Sequence, residues 1–207
     1  MANSYAMGID LGGSGIRCLL LNLGNGDVQH TSRPWVFPKS DDDSGLGYNI
    51  DLDQLWSLLG EASRELIAKA GINSQDVASV AVSAMRFSTV VINAEGEALF
   101  ASPNRDARAS MEYFLLAESH GEQLLQASGL WPLPIQFAPR LNWLKANQPE
   151  VLKSADCIFS LSDWLNFRLS GVRATDFSQA GCSGLFDLKE QRWCDELINE
   201  LGFDRKL

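Results

Sequence analysis

The apolar runs at the start of the chain are short and separated by turn residues. Tyr5-Ala6-Met7-Gly8-Ile9 leads into Asp10, a Gly/Ser turn follows, and a second apolar run spans Ile16 to Leu23. Together with the next run, this predicts strands near 5–11, 15–23 and 27–36 in an antiparallel meander. The period then changes. Leu52, Leu55, Leu58, Leu59, Ala62, Leu66 and Ile67 recur at helical spacing, Asp51 stands where an N-cap belongs and Gly71 where a helix stops, so a helix is predicted over 52–70. Val77 to Ser83 reads as a short apolar strand, and Ser88–Ile92 with Ala98–Ala101 as a hairpin around Asn93-Ala94-Glu95-Gly96-Glu97. Helical pattern follows at 107–128, 139–147, 149–154, 162–170 and 195–201, with a strand at 156–159 and a hairpin from Gly184 to Trp193. Trp143 and Trp164 fall on amphipathic helices and are expected in the core. Three antiparallel strands, then helix, strand, helix and strand, predict an α/β domain without internal repeat.

The first turn carries the clearest chemistry. Gly12-Gly13-Ser14-Gly15 is mostly bare backbone, which lets main-chain N–H groups approach an anion closely. Asp10, at the end of the first strand, is placed to hold a hydrated Mg²⁺ beside that anion. A glycine-rich hairpin with a capping aspartate is the plainer alternative. Two other phosphate loops are excluded: there is no G-x-x-x-x-G-K-[ST], and no G-x-G-x-x-G opening a helix.

Composition narrows the partners. At 207 residues and 45% hydrophobic, with a mean hydropathy of −0.08, the chain is long and apolar enough to bury a core. A net charge of −9 argues against non-specific nucleic-acid binding, and it means that a phosphate ligand must be held by local dipoles and metal rather than by the overall field. No window approaches a membrane-spanning length of apolar residues, and the first residues lack the charged start and apolar stretch of a signal peptide. Cys18, Cys157, Cys182 and Cys194 form no C-x-x-C, and His30 and His120 are isolated, so zinc is not expected. Reduced, largely buried thiols in a cytoplasmic protein are the reading. Lys39 to Gly47, with Asp41-Asp42-Asp43, reads as a solvated loop, since it lacks the ligand spacing and distal Glu of an EF-hand.

The turn motif D-x-G-[GT]-[ST]-x-x-[KR] resembles the first phosphate motif of the actin/hexokinase/heat-shock-protein ATPase superfamily. Further segments resemble one of its branches, the FGGY carbohydrate kinases. Ala81-Val82-Ser83-Ala84-Met85-Arg86-Phe87 stands where that family has I-S-x-Q-x-x-[GT], and Asn104-Arg105-Asp106-Ala107-Arg108 is similar to its W-x-D-x-R. Phe137-Ala138-Pro139-Arg140-Leu141-Asn142-Trp143-Leu144 resembles F-x-A-P-K-L-x-W-L, Asp163-Trp164-Leu165 to Gly171 resembles D-[YW]-[IL]-x-x-x-L-[ST]-G, and Thr175-Asp176-Phe177-Ser178-Gln179-Ala180 resembles T-D-x-[ST]-x-A. Their order spans essentially the whole chain and points to the N-terminal domain, in the branch of xylulose and autoinducer-2 kinases.

The resemblance implies a ribonuclease H-like domain with a mixed sheet flanked by helices. It implies ATP and Mg²⁺ as cofactors and transfer of the γ-phosphoryl group to a hydroxyl of a small sugar, ketose or polyol. Asp10 is then the metal residue, and Gly12, Gly13, Ser14 and Arg17 join it at the nucleotide phosphates. Met85, Arg86, Phe87, Asp106 and Arg108 are the substrate candidates. Asp106 and Arg108 have a second reading, capping the next helix and bracing the cleft. Arg86 and Phe87 also have one, as an internal ion pair and a core residue. The loop matches neither the Arg-Glu of glycerol kinases, the Met-His of xylulose kinases nor the Met-Arg-Glu of autoinducer-2 kinases. Thr175, Asp176 and Ser178 are read as securing a loop by Asx-type hydrogen bonds.

FGGY kinases carry the adenosine site and catalytic aspartate in a second domain, and no such motif appears in residues 1–207. The chain is therefore expected to be that family's N-terminal domain, incomplete at its C-terminal end, with no catalytic base of its own and no activity in isolation. A non-catalytic sugar-binding or regulatory module, or half of a split kinase, is the alternative. Without its second domain it is expected to expose an apolar face and to be able to form a homodimer. No nucleic-acid or membrane partner is expected.

Overall fold

A computed structural model describes residues 4–42 and 44–207. Asp43 of the acidic loop, and residues 1–3 at the amino terminus, lie outside that description. The chain folds into two compact units, one formed by the segment up to Phe37 with Asp51–Met85, the other by Pro38–Ile50 with Arg86–Leu207.

The first unit contains β1 (Tyr5–Gly12), β2 (Gly15–Asn22), β3 (Val28–Pro34), α1 (Leu52–Ala70) and β4 (Val77–Ala84). Its sheet has the order β3-β2-β1-β4. The first three strands form the antiparallel meander that the turns dictate, and β4 lies parallel to β1. A parallel neighbour requires a long crossover, and α1 supplies it. Alternation along β1 turns Tyr5, Met7, Ile9 and Leu11 inward, where they join Ile16, Cys18 and Leu20 of β2. The α1 stripe of Leu55, Leu59, Ala62 and Leu66 is buried as well, and the helix packs on β2 and β3. The Asp51 side chain accepts from the Gln54 N–H at 2.8 Å, and Gly71, at φ 65, closes the helix with a left-handed turn. Asp51→Ala should cost about 1 kcal/mol, checked by chemical denaturation.

The strand predicted over 27–36 stops at Pro34, because Trp35 turns its indole N–H to the Gly12 carbonyl at 2.8 Å. β4 is composed of small residues, Val and Ala with Ser79 and Ser83, and as the outermost strand it is largely exposed, with Val80 46% accessible.

The second unit is built on the three-stranded antiparallel sheet β6-β5-β7, from β5 (Thr89–Ile92), β6 (Ala98–Ser102) and β7 (Cys157–Phe159). Val90, Val91 and Ile92 have no exposed surface. Around them lie α2 (Ser110–Ser128), α3 (Phe137–Asn147), α4 (Pro149–Ser154), α5 (Leu161–Ser170), α6 (Phe177–Cys182), the short hairpin β8 (Phe186–Asp187) and β9 (Arg192–Trp193), and α7 (Asp195–Glu200). Trp143 and Trp164 are buried as expected. α3 begins two residues before the predicted start, since Pro139 is tolerated in a first helical turn. α2 begins at Ser110 rather than 107, and its N-cap Ala109 receives no side-chain hydrogen bond, so neither Asp106 nor Arg108 caps it. All four cysteines are free thiols, and no helix among the described residues is long and apolar enough to cross a membrane. Burial pushes the Cys18 thiol up to about 11.

Candidate functional site

In the first unit, register fixes the phosphate-turn geometry. Asp10 pairs across the strands with Arg17, and Gly12 with Gly15, leaving Gly13 and Ser14 at the exposed tip. Arg17 Nη1 donates to Asp10 Oδ2 at 3.0 Å. Both side chains are well exposed, 66% for Arg17 and 39% for Asp10, so this is a surface pair of little strength. A Cβ on Gly13 would meet nothing within 4 Å, so its backbone faces open space. A Cβ on Gly15 would come within 2.6 Å of the Arg33 carbonyl oxygen, so that glycine is required by close approach of β3.

This arrangement fits a hydrated Mg²⁺ with phosphate. The ion takes one or two carboxylates and completes its shell with water and phosphate oxygens. Asp10 offers one accessible carboxylate beside open backbone, and among the described residues no group of three or more His, Cys, Asp or Glu forms an all-protein cage.

In the second unit, the substrate candidates sit differently from one another. Arg86 is exposed, with its guanidinium carbon 5.4 Å from the centroid of the half-buried Phe87 ring. Exposure excludes the internal ion pair and leaves Arg86 accessible to a ligand. Phe87 has φ 60, a left-handed conformation that bulky side chains avoid. Asp106 and Arg108 are buried. Asp106 Oδ1 accepts from Arg108 Nε at 2.7 Å and from the Tyr48 N–H at 3.1 Å. Arg108 Nη2 donates to the Tyr48 carbonyl at 2.6 Å and to Asn49 Oδ1 at 2.7 Å, and its guanidinium lies 5.1 Å from the ring centroids of Phe100 and of Trp143. Asp106 and Arg108 thus brace the Tyr48–Asn49 segment, and the capping part of their second sequence reading does not hold. Arg140, from α3, is the third member, with Nε 3.3 Å from Asp106 Oδ2.

Asp163 is also buried. Its carboxylate accepts from Ser160 Oγ at 2.8 Å and Thr175 Oγ1 at 3.0 Å. Asp176 Oδ1 accepts from the N–H groups of Ser178 and Gln179 at 2.7 and 2.9 Å, so the predicted Asx bonds exist but start α6 rather than secure a loop.

Comparison with known proteins addresses the same segments. The N-terminal domain profile of the FGGY family of carbohydrate kinases matches residues 5–207. The chain belongs to the FGGY family of carbohydrate kinases. An autoinducer-2 kinase from Enterobacter sp. (strain 638) is 32% identical over 203 residues, which is 96% of this chain and 38% of that protein. Another, from Escherichia coli (strain K12), is 33% identical over 202 residues with the same coverage. Among solved structures, a gluconate kinase from Lactobacillus acidophilus superposes with a TM-score of 0.87 at 21% identity, over 99% of this chain and 41% of that one. A xylulose kinase from Rhodospirillum rubrum gives 0.86 at 22% identity, over 98% and 41%. The chain therefore has the α/β fold of sugar kinases of the actin/hexokinase type, and it spans about two fifths of the length of those relatives.

Within the FGGY chain two buried groups escaped sequence reasoning. Arg140 stands in the segment that resembles F-x-A-P-K-L-x-W-L, but no local signal distinguishes a buried arginine from a surface one on a helix. Asp163 stood only as the first residue of the segment resembling D-[YW]-[IL]-x-x-x-L-[ST]-G, with no sign of its burial. Burial pushes its carboxyl above the ordinary 3.8, against the lowering effect of the Ser160 and Thr175 hydroxyls. The folded state therefore holds this proton more tightly than the unfolded chain. Its contribution to stability is full below pH 3.8 and is lost as pH rises through the folded value. Asp163→Asn should flatten that component, measured as unfolding free energy across the acid-to-neutral range.

Proposed function

We propose that this chain is the N-terminal domain of an ATP-dependent carbohydrate kinase, a phosphotransferase acting on a hydroxyl of a small sugar, ketose or polyol. The observation that carries the proposal is the β1–β2 turn, with its open backbone and one accessible carboxylate, in a member of this family. Asp10 is the residue for Mg²⁺, held through water. Gly12, Gly13 and Ser14 offer N–H and hydroxyl donors to the phosphates, and Arg17 adds a cation at the rim. Mg²⁺, when bound, neutralises charge on the transferring phosphate. Arg86 presents N–H donors to a substrate hydroxyl, and Phe87 offers an apolar face to sugar C–H groups. Met85 forms the start of that loop, and Asp106 with Arg108 supports the substrate side through the network they share with Arg140.

The remaining polypeptide supplies the adenosine site and the base that takes the hydroxyl proton, so residues 1–207 alone do not turn over. The exposed β4 edge fits cover by that polypeptide, and a homodimer of the isolated chain is the expected substitute. The site of action is the cytoplasm. Relatives named as autoinducer-2 kinases make autoinducer-2 one compound to include among the candidate acceptors.

The test is ADP formation from ATP by the complete polypeptide against a panel of ketoses, polyols and sugar acids. Hydroxyl-compound-dependent, Mg²⁺-dependent ADP release is expected. Saturable sugar binding with no ADP release under any condition would instead support the non-catalytic module.

A further inference from the structure

Arg140 makes more of the candidate site's backbone contacts than any residue the sequence singled out. It has no exposed surface. Nη1 donates to the carbonyl of Phe87 and, at 3.1 Å, to Thr89 Oγ1; Nη2 donates to the carbonyl of Pro103 and, at 3.0 Å, to that of Asp106. One guanidinium therefore ties together two segments that are distant in sequence: the loop carrying Arg86 and Phe87, and the loop carrying Asp106. A planar fork with five donors can reach such dispersed acceptors, whereas a lysine ammonium acts from a single point.

The same contact falls on the one strained residue of the loop. Phe87 sits at φ 60, a strained conformation that persists only where its surroundings enforce it. The next residue is fixed too, since Ser88 Oγ accepts from the Leu161 N–H at 3.0 Å. We infer that Arg140 is a positioning residue for carbohydrate recognition: by holding the Phe87 carbonyl it keeps the loop in the left-handed turn that presents Arg86 and Phe87 to the substrate. The inference rests on the proposed reading of that loop as the substrate loop. Burial lowers the Arg140 pKa to about 10, with the Asp106 carboxylate opposing the shift, so the group remains a cation at neutral pH.

The experiment measures steady-state kinetics of the complete polypeptide with Arg140→Lys, Arg86→Ala and the double variant. Arg140→Lys should raise KM for the accepted sugar about tenfold, with kcat changed less than about threefold and KM for ATP unaltered. The two substitutions should be non-additive in sugar KM, because Arg86 contributes little once its loop has relaxed. A sugar KM that is indifferent to Arg86→Ala would remove the substrate-loop reading itself. A response to Arg86→Ala without one to Arg140→Lys, additive effects, or equal changes in both KM values would leave that reading standing and overturn the positioning role. Should Arg140→Lys fail to fold, Thr89→Val deletes one Arg140 partner. A rise of about threefold in sugar KM alone then supports the role, and no change overturns it.

Discussion

Asp10→Asn should lower phosphoryl transfer by the complete polypeptide about a thousandfold while leaving the fold unchanged. The two halves of that expectation have separate causes. Asp10 is 39% exposed and contributes nothing to the core, and an asparagine oxygen can still accept the Arg17 hydrogen bond. Stability should therefore shift by less than about 0.5 kcal/mol. What disappears is the single negative charge beside an open-backbone turn, where a divalent cation must be oriented between phosphates. The effect should appear in kcat together with a raised Mg²⁺ requirement, and KM for the sugar should stay unchanged. A loss smaller than about tenfold would take Asp10 out of the metal role and return the turn to an ordinary hairpin.

Asp106→Ala should be the most destabilising single change in the second unit. It leaves the Arg108 and Arg140 guanidiniums buried without their carboxylate. Removing one partner of a buried ionic group costs about 3–5 kcal/mol, because the remaining charge is uncompensated rather than because the pair was strongly stabilising. It also strands the Tyr48 N–H. Asp106→Asn keeps one acceptor and should cost less. Denaturant unfolding of the two variants beside the unsubstituted chain separates these effects; a change within about 1 kcal/mol for Asp106→Ala would contradict the bracing network.

The elements were legible wherever local signals agreed. α1 has a stripe, a cap and a terminating glycine, and its bounds coincide with the prediction. The meander, β4 as a strand and the β5–β6 hairpin also follow from run lengths and turns, whereas the parallel pairing of β4 with β1 comes only with the fold. What the sequence concealed depends on distant contacts. α6 has only six residues, too few to display a period, and Asp176 was recognisable as a local hydrogen-bonding residue but not as a helix start. The 3₁₀ turn Ser74–Asp76 is shorter still.

The candidate site divides along the same line. Asp10 and the glycine turn are adjacent in sequence, so their chemistry can be read directly. Asp106 and Arg108 carry an Asp-x-Arg signal that fits both substrate recognition and bracing. Their burial, and the approach of Tyr48 and Arg140 from elsewhere in the chain, come only with the fold. Phe87 has no local signal of a positive φ; glycine or asparagine would ordinarily mark one.

The most direct test of the central claim is amide hydrogen exchange of the complete polypeptide with a non-hydrolysable Mg²⁺–ATP analogue and, separately, with an accepted sugar. The nucleotide is expected to slow exchange at Gly12–Gly15 and the sugar to slow it at Arg86–Ser88. Nucleotide protection that bypasses the β1–β2 turn would contradict it.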